Sequence, residues 1–175
     1  GHLVFSTVHT NDAPSAITRL IDMGIEPYLV AAAIKGVLSQ RLVRLNCPSC
    51  LDGYRPSESL LQRAGLTGEA TQIDFKRGAG CKHCKETGYQ SLTGIFEFVS
   101  ISDEMTELIL AGASLRTFRE TARRYGYVPL FEAGLEKVHA GKICLEELLK
   151  ETSNIEEYFS PQTETGTRLT HAGTV

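Results

Sequence analysis

The chain opens on Leu3-Val4-Phe5-Ser6-Thr7-Val8, a nearly continuous apolar and β-branched run with the pattern of a strand covered on both faces in a largely parallel sheet. Such a strand needs neighbours on either side. Only two residues precede it, the first is Gly1, and no second run of equal quality follows in a βαβ rhythm, so the chain reads as the C-terminal part of a longer protein. A polar loop, His9-Thr10-Asn11-Asp12-Ala13-Pro14, then leads into apolar positions at helical spacing, Ala16, Ile17, Leu20 and Ile21, stopped by Met23-Gly24. Pro27 opens a second helix expected through Leu29, Ala32, Ala33, Ile34, Val37 and Leu38. Gln40 to Leu45 reads as a strand. Further on, the pattern predicts a short helix from Ser57 (its N-cap) to Ala64, a turn at Thr67-Gly68, a brief strand from Ile73 to Phe75, and a turn at Thr87-Gly88-Tyr89. Gly94 to Val99 alternates like a half-buried strand, and helices are expected at Asp103–Leu110, Leu115–Tyr125, Leu130–Ala140 and Leu145–Lys150. Ser160 to Val175 carries too few apolar groups to offset chain entropy, so a disordered tail is expected.

Composition narrows this picture only modestly. At 175 residues, 42% hydrophobic and 22% charged, the chain is ordinary globular material, and no apolar run approaches the roughly 20 residues of a membrane span. The formal net charge of −3 disfavours nucleic acid as a partner, because that chemistry wants a concentrated cationic face.

Four cysteines carry the clearest chemistry. Cys47-Pro48-Ser49-Cys50 and Cys81-Lys82-His83-Cys84 are two C-x-x-C clips with 30 residues between them, a spacing that fits one tetrahedral ion held by four thiolates. A closed shell of that kind is structural, and zinc is its natural occupant. A thioredoxin-like redox pair needs only one clip, and two disulfides would suit a secreted chain, of which there is no signal. Four ionised thiols and one dication would take the net charge from −3 to −5. Lys76, Arg77, Lys82 and Lys85 around the second clip therefore read as local charge balance. His83 reads as a bystander inside a filled shell, and Cys144 as a small buried apolar residue within a helical segment.

Gly1 to Asp12 resembles the histidine box of the secretion ATPase superfamily, the GspE/PilB-like hexameric ATPases that drive type II secretion and type IV pilus assembly. Ala16 to Pro27 is similar to the family's next helix and turn, and Gln40-Arg41-Leu42-Val43-Arg44 to the strand before its tetracysteine element. Both clips, Thr87-Gly88-Tyr89, Gly94-Ile95-Phe96-Glu97 and the stretch from Gly134 to Leu148 follow in the family's order. One departure stands out: where the family shows a Gly-Arg pair before the last strand, this chain has Ser91-Leu92.

The resemblance implies an α/β fold: a partial RecA-like P-loop NTPase core over residues 1–46, a tetracysteine zinc-binding subdomain over 47–98, a C-terminal helical bundle over 99–151, and a tail over 152–175. It further implies a hexameric ring binding ATP and Mg2+ between subunits, with structural Zn2+ on Cys47, Cys50, Cys81 and Cys84. Partners would be the inner-membrane platform and cytoplasmic assembly proteins of the machine, which sets a cytoplasmic site at the periphery of the bacterial inner membrane. His9, where an apolar strand hands over to a polar loop, is the expected γ-phosphate sensor, with His2 a weaker candidate at the opposite end. Without the resemblance, His9 would read as a cap on the following helix. Arg19 and Arg41 are candidate nucleotide contacts, against the plainer reading of surface ion pairs.

A Walker A turn, G-x-x-x-x-G-K-[ST], is absent. The nearest decoy, Gly141-Lys142-Ile143, has Glu136 where the first glycine belongs and Ile143 where the hydroxyl belongs. No acidic residue follows a buried apolar strand as a Walker B would, so these 175 residues alone are expected neither to bind ATP tightly nor to hydrolyse it. A stand-alone, zinc-folded interaction module without ATPase activity is the alternative.

Overall fold

The computed structural model describes residues 2–66 and 73–152. Its frame is a long antiparallel hairpin, β1 (Gly36–Asn46) against β4 (Tyr89–Ser100), running from a Gly36–Ser100 pair at one end to Asn46–Tyr89 at the other. Because strand side chains alternate in direction, Val43, Ile95, Glu97 and Val99 point inward and are buried, while Leu38, Leu42, Phe96 and Phe98 stay on the exposed face. Between these strands the chain makes a smaller ladder, β2 (Leu51–Gly53) with β3 (Lys76–Gly78), and the helix α3 (Glu58–Arg63). Ser57 caps α3 as its sequence predicts, accepting from Leu60 N–H.

Helices flank the hairpin on its buried side. Two precede it, α1 (Ser15–Asp22) and α2 (Pro27–Ala33), and four follow, α4 (Asp103–Leu110), α5 (Leu115–Arg124), α6 (Leu130–His139) and α7 (Leu145–Glu151). The last four lie within a residue of their expected bounds. Two apolar cores result. One gathers Val43, Ile95, Phe131, Val138, Ile143 and Leu148, and the other Ile17, Val30, Val99, Met105, Ile109 and Phe118. Inward positions 95, 97 and 99 of β4 thus read core, carboxylate, core. Glu97 sits at the seam.

Four local expectations need correction. Residues 2–9 form no strand, and Leu3, Val4 and Phe5 are exposed by 76%, 76% and 90%. A strand exists only through its neighbours' hydrogen bonds, and among the described residues none runs beside this segment. Helix α2 stops at Ala33 instead of reaching Leu38, because Val37 and Leu38 pair with Val99 and Phe98. Long-range pairing overrides the local helical pattern there. The brief strand lies at Lys76–Gly78, not Ile73–Phe75, since Phe75 turns its ring into the core and the ladder begins beside the clip. Cys144 precedes α7 as its N-cap residue instead of lying within a helix. The Thr67-Gly68 turn and the tail from 153 onward fall outside the described residues.

Near the clip end, the strand register slips. Arg44 pairs with Leu92 and Asn46 with Tyr89, leaving Gln90 and Ser91 opposite the single residue Leu45, a β-bulge. Ser91 carries it at φ +70°, where a side chain crowds the backbone and glycine would not. Replacing Ser91 by glycine is expected to stabilise the fold by about 0.5–1 kcal/mol. Urea denaturation checks this, and a destabilised Ser91→Gly would show that the hydroxyl matters more than the strain.

Candidate metal centre and histidine loop

The two clips meet at the closed end of this hairpin. Cys47 follows β1, Cys50 ends a tight 3-10 turn at Pro48–Cys50, and Cys81 and Cys84 flank a matching turn at Lys82–Cys84. All four sulfurs lie within 4.8 Å of one another, with Cys47–Cys81 at 4.0 Å, Cys50–Cys84 at 3.9 Å and Cys81–Cys84 at 3.8 Å. Sulfurs bound at about 2.3 Å to one tetrahedral zinc ion sit about 3.8 Å apart, so the cage has metal-binding dimensions. None of the five cysteines is in a disulfide.

Backbone amides support the cage. Gly80 N–H donates to Cys50 Sγ at 3.3 Å, and Cys81 and Gly88 N–H donate to Cys84 Sγ at 3.2 Å each. Burial pushes the Cys50 thiol up to about 12. Burial works the same way on Cys84, but the amides of Cys81 and Gly88 outweigh it and bring that thiol down to about 6. These amides favour the thiolate of Cys84 over that of Cys50. His83 is exposed beside the cage. Of the nearby cations, Lys76 pairs with Asp74 at 3.1 Å and Arg77 stacks over the Tyr54 ring at 4.9 Å, so local acid and aromatic partners take up part of that cluster.

Below the cage, side chains lock the hairpin to α7. Arg44 makes a two-pronged contact with Glu147 (Nε–Oε1 2.9 Å, Nη2–Oε2 2.6 Å) and lies over the Tyr89 ring at 3.9 Å. The Tyr89 hydroxyl meets buried Cys144 Sγ at 3.2 Å, and Tyr54 Oη donates to Glu146 at 2.5 Å. Hydrogen bonding from Arg44 holds the Glu147 carboxyl below its ordinary value of 4.5, against the opposing effect of burial. A depressed carboxylate contributes stability that is full above the ordinary value and is lost as pH falls through the folded one. Glu147→Gln is therefore expected to lose about 1–3 kcal/mol at pH 7, discounted for the 44% exposure of Arg44, and less as pH drops below 4.5. Urea midpoints against pH for the two proteins test it; parallel curves would remove the pair from the account.

The other predicted site residues lie apart from the cage. His9 is exposed and makes no hydrogen bond among the described residues, and His2 and Arg19 are also exposed. Arg41 reaches the histidine loop, donating to Asn11 O at 3.4 Å as well as to Gln40 O at 3.0 Å. The loop is fastened just after His9, from Asn11 onward. Asp12, 2% exposed, accepts from Ser15 N–H at 2.7 Å and pairs with Arg119 of α5. Glu97, 1% exposed, accepts from Ala13 N–H, from Tyr127 Oη at 2.9 Å and from Leu130 N–H at 3.0 Å. Sequence reading missed both roles: Asp12 and Glu97 stood inside quoted motifs, but nothing local marks a carboxylate as buried.

The sequence is similar to parts of several larger proteins. Over 87% of the chain it is 45% identical to the Type IV pilus assembly ATPase PilB of Thermus thermophilus, 43% to the Type II secretion system protein E of Pseudomonas aeruginosa and 40% to the Type II secretion system ATPase E of Vibrio cholerae. The matched segments make up 17%, 30% and 30% of those relatives, so the chain spans less than a third of their length. With residues 1–150 matching its family model, the chain belongs to the Type II/IV secretion system protein family.

Proposed function

We propose that this chain acts as the C-terminal part of a ring-forming, hexameric ATPase that powers type II secretion or type IV pilus assembly. The observation that carries the reading is a four-sulfur cage and an exposed histidine on a fastened loop, joined by one hairpin, in a segment 40–45% identical to proteins named for those ATPases. Cys47, Cys50, Cys81 and Cys84 hold a structural zinc ion. With all four positions filled by thiolates it has no open site for water, so it shapes the hairpin and takes no part in hydrolysis.

His9 donates to the γ-phosphate of ATP bound with Mg2+ by a RecA-like core. Its exposure and the hydrogen-bonded backbone that follows it from Asn11 to Ser15 suit a group that must meet a ligand without large reorganisation. His2 has no such backing, and Arg19 is a surface side chain; Arg41 steadies the loop through Asn11 O. Work on pilin-like subunits takes place in the cytoplasm at the inner membrane, through the platform and assembly proteins of the machine. No described helix is long and apolar enough to cross a membrane.

Because no Walker A turn is present, phosphate release by these 175 residues alone is expected to match the background without enzyme. In the complete gene product, His9→Ala is expected to lower ATP turnover by about 10^2-fold while leaving zinc content unchanged. A phosphate-release assay with metal analysis measures both, and undiminished turnover in His9→Ala would overturn the sensing role.

A further inference from the structure

Of the motifs that resemble the family's, Gly94-Ile95-Phe96-Glu97 has no part in the metal cage or in the histidine's chemistry, yet its glutamate is among the most buried side chains in the protein. Glu97 interrupts an apolar inward face between Ile95 and Val99, at the seam of the two cores. A carboxylate in that position is costly unless its oxygens are satisfied. Three donors reach it: Ala13 N–H from the histidine loop, Tyr127 Oη, and Leu130 N–H at the start of α6. One oxygen, Oε1, serves the loop and the other, Oε2, serves the C-terminal helices.

Asp12 repeats the arrangement one residue earlier. It accepts from the N–H of Ser15, the first residue of α1, and pairs with Arg119, which α5 supplies. The segment from Asn11 to Ser15, which begins two residues after His9, is thus tied to β4 and to α5 by buried charge-assisted bonds, and to β1 by Arg41, while the His9 imidazole stays exposed. Apolar contacts could bury this loop equally well. They would not fix where its backbone stops, because hydrophobic attraction has no direction and a hydrogen bond does.

We propose that Glu97 is the positioning residue of the histidine loop, aided by Asp12, setting the place of His9 relative to the metal-held hairpin. This rests on the reading of His9 as a phosphate sensor, and it adds the device that keeps the sensor in place.

Two measurements on the zinc-loaded chain test it without nucleotide. Hydrogen exchange in Glu97→Gln should show the amides of residues 10–15 exchanging at least about 10-fold faster, with those around the four cysteines unchanged and one zinc retained. The carbon-bound ring resonances of His9 should move toward those of an unstructured histidine, while His83 and His139 stay in place. Asp12→Asn should produce the same pattern to a smaller extent, and it serves as the second reading if Glu97→Gln lowers global stability. Unchanged loop exchange and an unmoved His9 in both variants would overturn the proposal, as would loosening of loop and cage alike in both. ATP turnover of the complete gene product separates this from the sensing role. If the loop loosens in Glu97→Gln but His9→Ala turns over normally, the positioning stands and the sensing falls. If both hold, His9→Ala and Glu97→Gln lower kcat together, and the double variant is no slower than His9→Ala alone.

Discussion

A strong chelator is expected to release one zinc ion per chain from the proposed cage and to unfold the excursion from about Cys47 to Gly88, while the β1–β4 hairpin and α4–α7 lose only a supporting surface. The scale follows from what holds that segment. Its ladder between β2 and β3 pairs only three residues on each side. Two-stranded ladders of that length are not stable alone, whereas structural zinc in small peptides supplies on the order of 10–16 kcal/mol of apparent binding energy. Cys84→Ser should be the most damaging single change among the four cysteines, since that sulfur accepts two backbone amides where Cys50 accepts one. Circular dichroism with metal analysis reads the result. Metal-free protein that melts at the same temperature as the loaded form would end the structural role of the ion.

Gly78→Ala is the second large effect expected, a loss of about 3 kcal/mol or more together with weakened zinc retention. A methyl group built there would lie 1.9 Å from the Gly88 carbonyl oxygen, and one at Gly88 would lie 2.4 Å from the Gly78 oxygen. Backbone meets backbone at this point, so no rotamer change can relieve the collision. Gly88 also sits at φ +76°, and its N–H holds Cys84 Sγ while its carbonyl accepts from Cys47 N–H at 2.8 Å. Moving that strand apart would therefore disturb Cys47 and Cys84 of the sulfur cage together. Gly53→Ala, in the paired strand β2 with nothing within 4 Å of the added methyl, is the control and should stay within about 0.5 kcal/mol of the parent. Equal melting temperatures for Gly78→Ala and Gly53→Ala would show that the close approach carries no such cost.

Much of the local structure was legible because its causes are local. Ser57 and the α3 pattern, the alternation from Gly94 to Val99, and the apolar spacing of the four late helices each depend on residues a few positions apart. Failures came where a distant partner decides. Val37 and Leu38 suit a helix by spacing but join β4, and Leu3 to Val8 suits a strand but finds no neighbour among the described residues. In sequence Ser91 shows only as a departure from the pattern the family resemblance implies. Its importance as a left-handed bulge residue emerges only from the register of the strands around it.

By itself the sequence singled out the four cysteines that could hold a metal ion, since C-x-x-C spacing places two sulfurs on one tight turn regardless of what surrounds it. It also determined the family resemblance and the absence of a phosphate-binding turn, because both are written in residue order. Only the tertiary structure decided that Glu97 and Asp12 are buried, that Glu97 holds the histidine loop at Ala13 while Asp12 ties it to Arg119, and that Arg44 locks the hairpin to Glu147 across 103 positions of sequence. The physical reason is that a carboxylate's role depends on whether water surrounds it. Water is excluded by residues far away in the chain, brought there by packing that no local pattern encodes.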